Sequence, residues 1–117
     1  EKAILEKFGF EVKVVNRSKE EMERVVKNNP FNGKDEGRIY VSFLAKSASE
    51  GAAEKIEPFV HGAEEFLDAG REVYLYCPDG YGRTKLSNAL IERKCCVAAT
   101  TRNWRTVGVL LGMLSEV

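Results

Sequence analysis

The stretch from Arg71 to Trp104 constrains the fold more than any other part of this 117-residue chain. Glu72–Cys77 alternates Val73, Leu75 and Cys77 with Tyr74 and Tyr76, which reads as a strand. Pro78-Asp79-Gly80-Tyr81-Gly82 then breaks the run, as proline and closely spaced glycines do. Beyond it the spacing predicts a helix over about Thr84–Lys94 that buries Leu86, Leu90 and Ile91. A last helix is expected from about Arg102 to Ser115, with Val107, Leu110, Leu111 and Leu114 on one stripe. A strand that feeds two amphipathic helices asks for a sheet with helices packed on it.

The upstream chain supplies the rest of that sheet. Residues 2–8 look like a helix end, and Phe10–Arg17 alternates as a half-buried strand. Ser18 followed by Glu21 is a capping box, and the helix it opens carries Met22, Val25 and Val26 until Asn28-Asn29-Pro30 stops it. Arg38–Ala45 is a second strand. Ser49 is expected to cap a short helix through Ala52, Ala53 and Ile56, cut short by Pro58. Glu64–Asp68 and Glu72–Cys77 flank Ala69-Gly70 as a β-hairpin.

The expected fold is α+β and α/β/α-like: a mixed four-stranded sheet with a βαβαββ core and two C-terminal helices. Its first three strands run parallel where they are neighbours, and helices cover both faces. With 44% hydrophobic residues, residues 1–117 can bury a core as one α/β domain without a staple. The opening at Glu1 suggests the C-terminal subdomain of a longer protein.

Eighteen basic and eighteen acidic residues cancel, so a whole-chain attraction to nucleic acid or anionic membrane is not expected. The distribution is uneven. Residues 71–105 hold Arg71, Arg83, Lys85, Arg93, Lys94, Arg102 and Arg105 against Glu72, Asp79 and Glu92. Cys77, Cys95 and Cys96 are an odd set without zinc spacing, which suggests a reducing compartment. Cys77 is expected buried and Cys95-Cys96 accessible. The longest apolar run, Val107–Leu114, is too short to span a bilayer, so no membrane partner is expected.

Two segments invite a ligand. Gly80-Tyr81-Gly82-Arg83-Thr84-Lys85 lies between a strand and a helix, where free backbone N–H groups can hold a phosphate and Arg83 and Lys85 add charge. It is neither a Walker A loop nor a dinucleotide fingerprint; the plainer reading is a tight turn with a Thr84 cap. Thr100-Thr101-Arg102-Asn103-Trp104-Arg105 reads as a second helix start, with Thr101 as N-cap. Its arginines oppose the helix dipole, and Trp104 is either a stacking platform or a core anchor. Tyr40, Tyr74 and Tyr76 are expected on one sheet face, covered by the final helices. No catalytic group, metal set or cofactor motif can be read. His61 looks like a packed or surface histidine, and Glu64 and Glu65 look solvated.

From Arg71-Glu72-Val73-Tyr74-Leu75-Tyr76 through Asp79-Gly80-Tyr81-Gly82-Arg83-Thr84-Lys85-Leu86-Ser87-Asn88 to Ala99-Thr100-Thr101-Arg102-Asn103-Trp104, the chain resembles the bacterial domain-of-unknown-function family 1697. Val14–Arg17 and Asn29-Pro30-Phe31 are similar to it as well. The resemblance implies a cytoplasmic α/β protein of two similar subdomains, of which this chain is the C-terminal one, with its own N-terminal subdomain as a partner. It implies no reaction. The expected function is a binding module for a phosphate-bearing ligand, either a phosphorylated small molecule such as a nucleotide or a nucleic-acid segment. The alternatives are a structural or interaction subdomain, or half of an enzyme completed by the N-terminal part.

Overall fold

The computed structural model describes residues 17–31, 33–80 and 84–115. The helix end expected at residues 2–8 and the strand expected at Phe10–Arg17 therefore lie outside the described residues, apart from Arg17. Helix α1 (Lys19–Lys27) opens with the expected box: Ser18 Oγ accepts from Glu21 N, and Ser18 N donates back to the Glu21 carboxylate. That second bond holds the Glu21 carboxyl below its ordinary pKa, assisted by Arg71. A single helical turn at Glu36–Arg38 leads into β1 (Ile39–Leu44).

Helix α2 (Ala52–Ile56) follows. Its N-cap is Gly51 in the left-handed region, at φ +79°. The expected cap, Ser49, instead reaches the Lys94 carbonyl. The hairpin forms as read, with β2 (Glu65–Asp68) and β3 (Glu72–Tyr76) joined by a turn in which Gly70 has φ +94°. Then come α3 (Asn88–Cys95), β4 (Ala99–Asn103) and α4 (Trp104–Ser115).

The four strands lie in the order β2-β3-β1-β4. Every neighbouring pair is antiparallel, so the described sheet is antiparallel rather than mixed as expected: β1 and β2 run the same way, but β3 lies between them. The fourth described strand, β4, occupies sequence expected to begin the last helix.

The two faces bury separate cores. Ile39, Val41, Phe43 and Tyr74 face α1 and α4, packing with Met22, Val25, Val107 and Leu110. Leu44, Val73 and Leu75 face α2 and α3, packing with Ile56, Leu90 and Ile91. The last two helices thus cover opposite faces, giving the expected layers of helix, sheet and helix. The register places Tyr76 opposite Ile39 and Tyr74 opposite Val41, but Tyr40 opposite Leu75. Tyr40 therefore lies on the other face from Tyr74 and Tyr76, and the expected three-tyrosine face does not form. Among the described residues, no helix is long and apolar enough to cross a membrane.

One buried ion is held by the fold itself. Arg17 donates to Glu72 Oε2 at 2.8 Å, to the Leu44 carbonyl at 3.0 Å and to the Arg71 carbonyl at 2.7 Å. Its guanidinium also lies 5.5 Å from the centre of the Phe43 ring. It closes the end of the β1–β3 pair from which the hairpin turns.

Candidate functional site

At the opposite end of the sheet, β3 and β4 both run out where β1 begins, since Tyr76 pairs with Ile39 and Asn103 with Tyr40. The two basic segments therefore emerge at one end of the molecule. Neither is the helix start that the spacing predicted.

After β3, Cys77 N donates to the Arg38 carbonyl, and Gly80 N returns to the Cys77 carbonyl at 3.0 Å, closing a tight turn. Gly80 sits at φ +92°, where a side chain is strained, and a Cβ there would lie 3.2 Å from Arg38 Nη1. The positive φ favours glycine at this position, and the Arg38 guanidinium would have to shift slightly to make room for a side chain. Tyr81, Gly82 and Arg83 lie outside the described residues. Thr84 Oγ1 accepts from Leu86 N, a local turn rather than a helix cap. The cap is Ser87, whose hydroxyl accepts from Leu90 N, so α3 starts at Asn88. Leu86 is fully buried just before it. Lys85 is exposed, three positions ahead of the helix.

The second segment is a strand as far as Asn103. Asn103 Oδ1 accepts from Thr106 N at 2.8 Å and so caps α4 in place of Thr101. Thr101 Oγ1 donates to Asn88 Oδ1 at 2.7 Å, which leaves the buried Ser42 hydroxyl to donate to Thr101 Oγ1 at 2.6 Å. Arg102 Nη1 donates to the Thr101 carbonyl. Trp104 and Arg105 open the helix. Trp104 packs partly against the core beneath α1 and α4, and Arg105 is exposed. The first turn of α4 has no acid, whereas that of α1 has Glu20 and Glu21.

Two clefts occupy this end. One, of about 430 Å³, is lined by Glu36, Gly37, Trp104, Arg105 and Gly108. The other, of about 330 Å³, is lined by His61, Glu64, Asp79 and Lys85. Lys85 and Arg105 thus line different clefts, and the described cations do not gather on one spot.

Sequence reasoning missed Arg38, Glu36, His61 and Glu64. Glu64, expected to be solvated, is only 8% exposed, and one of its carboxylate oxygens accepts from His61 N. No signal in the sequence marks it, because its burial depends on how the chain enters β2. Arg38 reads in sequence as the first residue of a strand.

The cysteines are Cys77 and Cys95, buried, and Cys96, exposed. The expectation holds for Cys77 and Cys96 and fails for Cys95, which the last turn of α3 turns inward. Burial pushes the Cys77 thiol up to about 11; the Thr84 hydroxyl works against that shift and the Glu64 carboxylate adds to it. Burial likewise pushes Cys95 up to about 11. That upward shift favours the protonated, weakly nucleophilic form of both thiols at neutral pH. Among the described residues, no group of three or more His, Cys, Asp or Glu side chains could hold a metal ion.

No solved structure matches this chain. It is similar to a histidinol-phosphate aminotransferase of Citrobacter koseri, 30% identical over 100 residues. That alignment takes in 84% of this chain and 25% of the aminotransferase, so the chain spans about a quarter of that relative's length. The family model described as "Protein of unknown function (DUF1697)" matches residues 1–74. By that match, which ends at Tyr74 on β3, the chain belongs to this family.

Proposed function

We propose that this chain is a binding module for a phosphate-bearing ligand, a nucleotide or a nucleic-acid segment, in a bacterial cytoplasmic protein. The observation that carries the reading is the cleft between the Glu36–Arg38 turn and the start of α4. An indole, a guanidinium and the Glu36 carboxylate line it together with two glycines. A Cβ on Gly108 would meet nothing within 4 Å, so the missing side chain leaves open space there. Trp104 offers a face for a base or sugar ring. Arg105 offers forked donors to a phosphate, in a first helical turn that lacks acids and favours an anion. The volume is at the small end of ligand clefts, enough for one nucleotide unit. Three free cysteines among the described residues accord with a reducing compartment.

Trp104 is the only tryptophan, which makes the test direct. Adenosine monophosphate should quench its fluorescence saturably, and chloride at matched ionic strength should not. Arg105→Ala should weaken that binding by roughly tenfold or more, the loss of a charge-assisted hydrogen bond. Arg24→Ala, on exposed α1 surface, should leave it unchanged. Without saturable quenching, the structural or interaction reading replaces this one.

A further inference from the structure

Buried polar side chains in this fold are generally answered. Arg17 has a carboxylate and two carbonyls. Ser42 has Thr101, and Asn29 Oδ1 accepts from Phe31 N. Glu64 is different. It is more than nine-tenths buried, yet among the described residues its carboxylate accepts one hydrogen bond, from the backbone of His61. A carboxylate has acceptor sites for about four. The ion pairs among the described residues join Arg17 to Glu72, Lys19 to Glu23, Lys34 to Glu65 and Arg71 to Glu21, and none includes Glu64. A buried carboxylate without an opposite charge is costly unless something supplies one. Glu64 lines the cleft that it shares with His61, Asp79 and Lys85. Lys85 also makes no ion pair among the described residues.

We propose that this cleft is a receptor for a small zwitterion, a primary amine bearing an anionic group. Its ammonium donates to the free oxygen of Glu64, and its anionic end meets Lys85 Nζ at the exposed mouth. Asp79 adds a second negative group on the ammonium side of the balance, so the cleft favours a ligand with at least one positive charge. At about 330 Å³ the space suits a molecule of amino-acid size. This site is separate from the Trp104 cleft and does not depend on it.

The test uses the isotopically labelled chain at pH 7 and three probes: 4-aminobutyrate, butylammonium and butyrate, at equal ionic strength. The reporter is the His61 backbone N–H resonance, because that group donates to Glu64. Both amines should shift it saturably, 4-aminobutyrate at lower concentration, while butyrate should not. Glu64→Gln keeps an acceptor for His61 and so keeps the local fold, but should weaken amine binding by roughly ten- to a hundredfold. Lys85→Met should erase the advantage of 4-aminobutyrate over butylammonium. Arg105→Ala should change nothing here, which separates this result from the fate of the phosphate reading. Three outcomes would each overturn the proposal: no saturable shift with either amine, an equal shift with butyrate, or unweakened binding by Glu64→Gln.

Discussion

Glu72→Gln isolates the charge of the buried pair at the hairpin end of the sheet. The Arg17 side chain is 1% exposed and that of Glu72 is 17% exposed. Removing one partner of a buried pair generally costs about 3–5 kcal/mol, because the other charge stays buried. Two features reduce the loss here. The guanidinium keeps the Leu44 and Arg71 carbonyls, and the glutamine oxygen can still accept the Arg17 Nε hydrogen. The expected destabilisation is therefore about 2–3 kcal/mol. For a chain of this length the unfolding entropy converts each kcal/mol to about 4 °C, so Tm should fall by about 10 °C. Urea unfolding is the better assay, since a lower midpoint with an unchanged slope shows that stability moved and compactness did not. The control is Glu23→Gln, which touches the Lys19–Glu23 pair, about half exposed and 4.0 Å apart; it should cost no more than about 0.5 kcal/mol. Arg17→Met combined with Glu72→Leu should recover most of the loss, as buried pairs replaced by apolar groups often do. If Glu72→Gln costs no more than Glu23→Gln, the pair is not held in a low-dielectric site and the reasoning fails.

Two further outcomes can be checked quickly. Tyr74→Phe should cost about 1–2 kcal/mol in the same urea assay, because the buried Tyr74 hydroxyl donates at 2.8 Å to Val25 O, a carbonyl of the last turn of α1. A thiol reagent at neutral pH should label Cys96 rapidly in the native chain and leave Cys77 and Cys95 unlabelled, as counted by intact mass.

What the sequence disclosed was local, and what it concealed was tertiary. The Ser18–Glu21 box, β1 and the hairpin depend on residues a few positions apart, so their signals are complete within a short window. The start of α3 is different. Thr84 and Ser87 both carry a hydroxyl able to meet a backbone N–H. The choice between them goes with Leu86, which is fully buried among Leu75, Leu90 and Ile91. The tyrosine face failed for a related reason. Antiparallel register decides which residues face each other, and a slip of one residue exchanges the faces. The pairing of Tyr40 with Leu75 is not encoded in either strand alone.

The stretch Ala99–Asn103 shows most clearly why a plausible site can dissolve into structure. Outermost beyond β1 among the described strands, β4 presents half its backbone groups away from the sheet, and such an edge invites pairing with another chain. The Ala98 carbonyl accepts from Ala45 N and so faces inward; Ala99 therefore faces out. Its N–H donates to Glu92 Oε2 and its carbonyl accepts from Asn88 Nδ2, two side chains one helical turn apart on α3. The next outward carbonyl, that of Thr101, is met by the guanidinium of Arg102. Asn88 also receives the Thr101 hydroxyl, tying the edge to buried Ser42. Threonines and an arginine that resemble a helix start with a waiting anion are thus engaged in closing a sheet edge. Among the described residues, Arg38, Lys85 and Arg105 are exposed basic groups at the far end on which a ligand reading can stand.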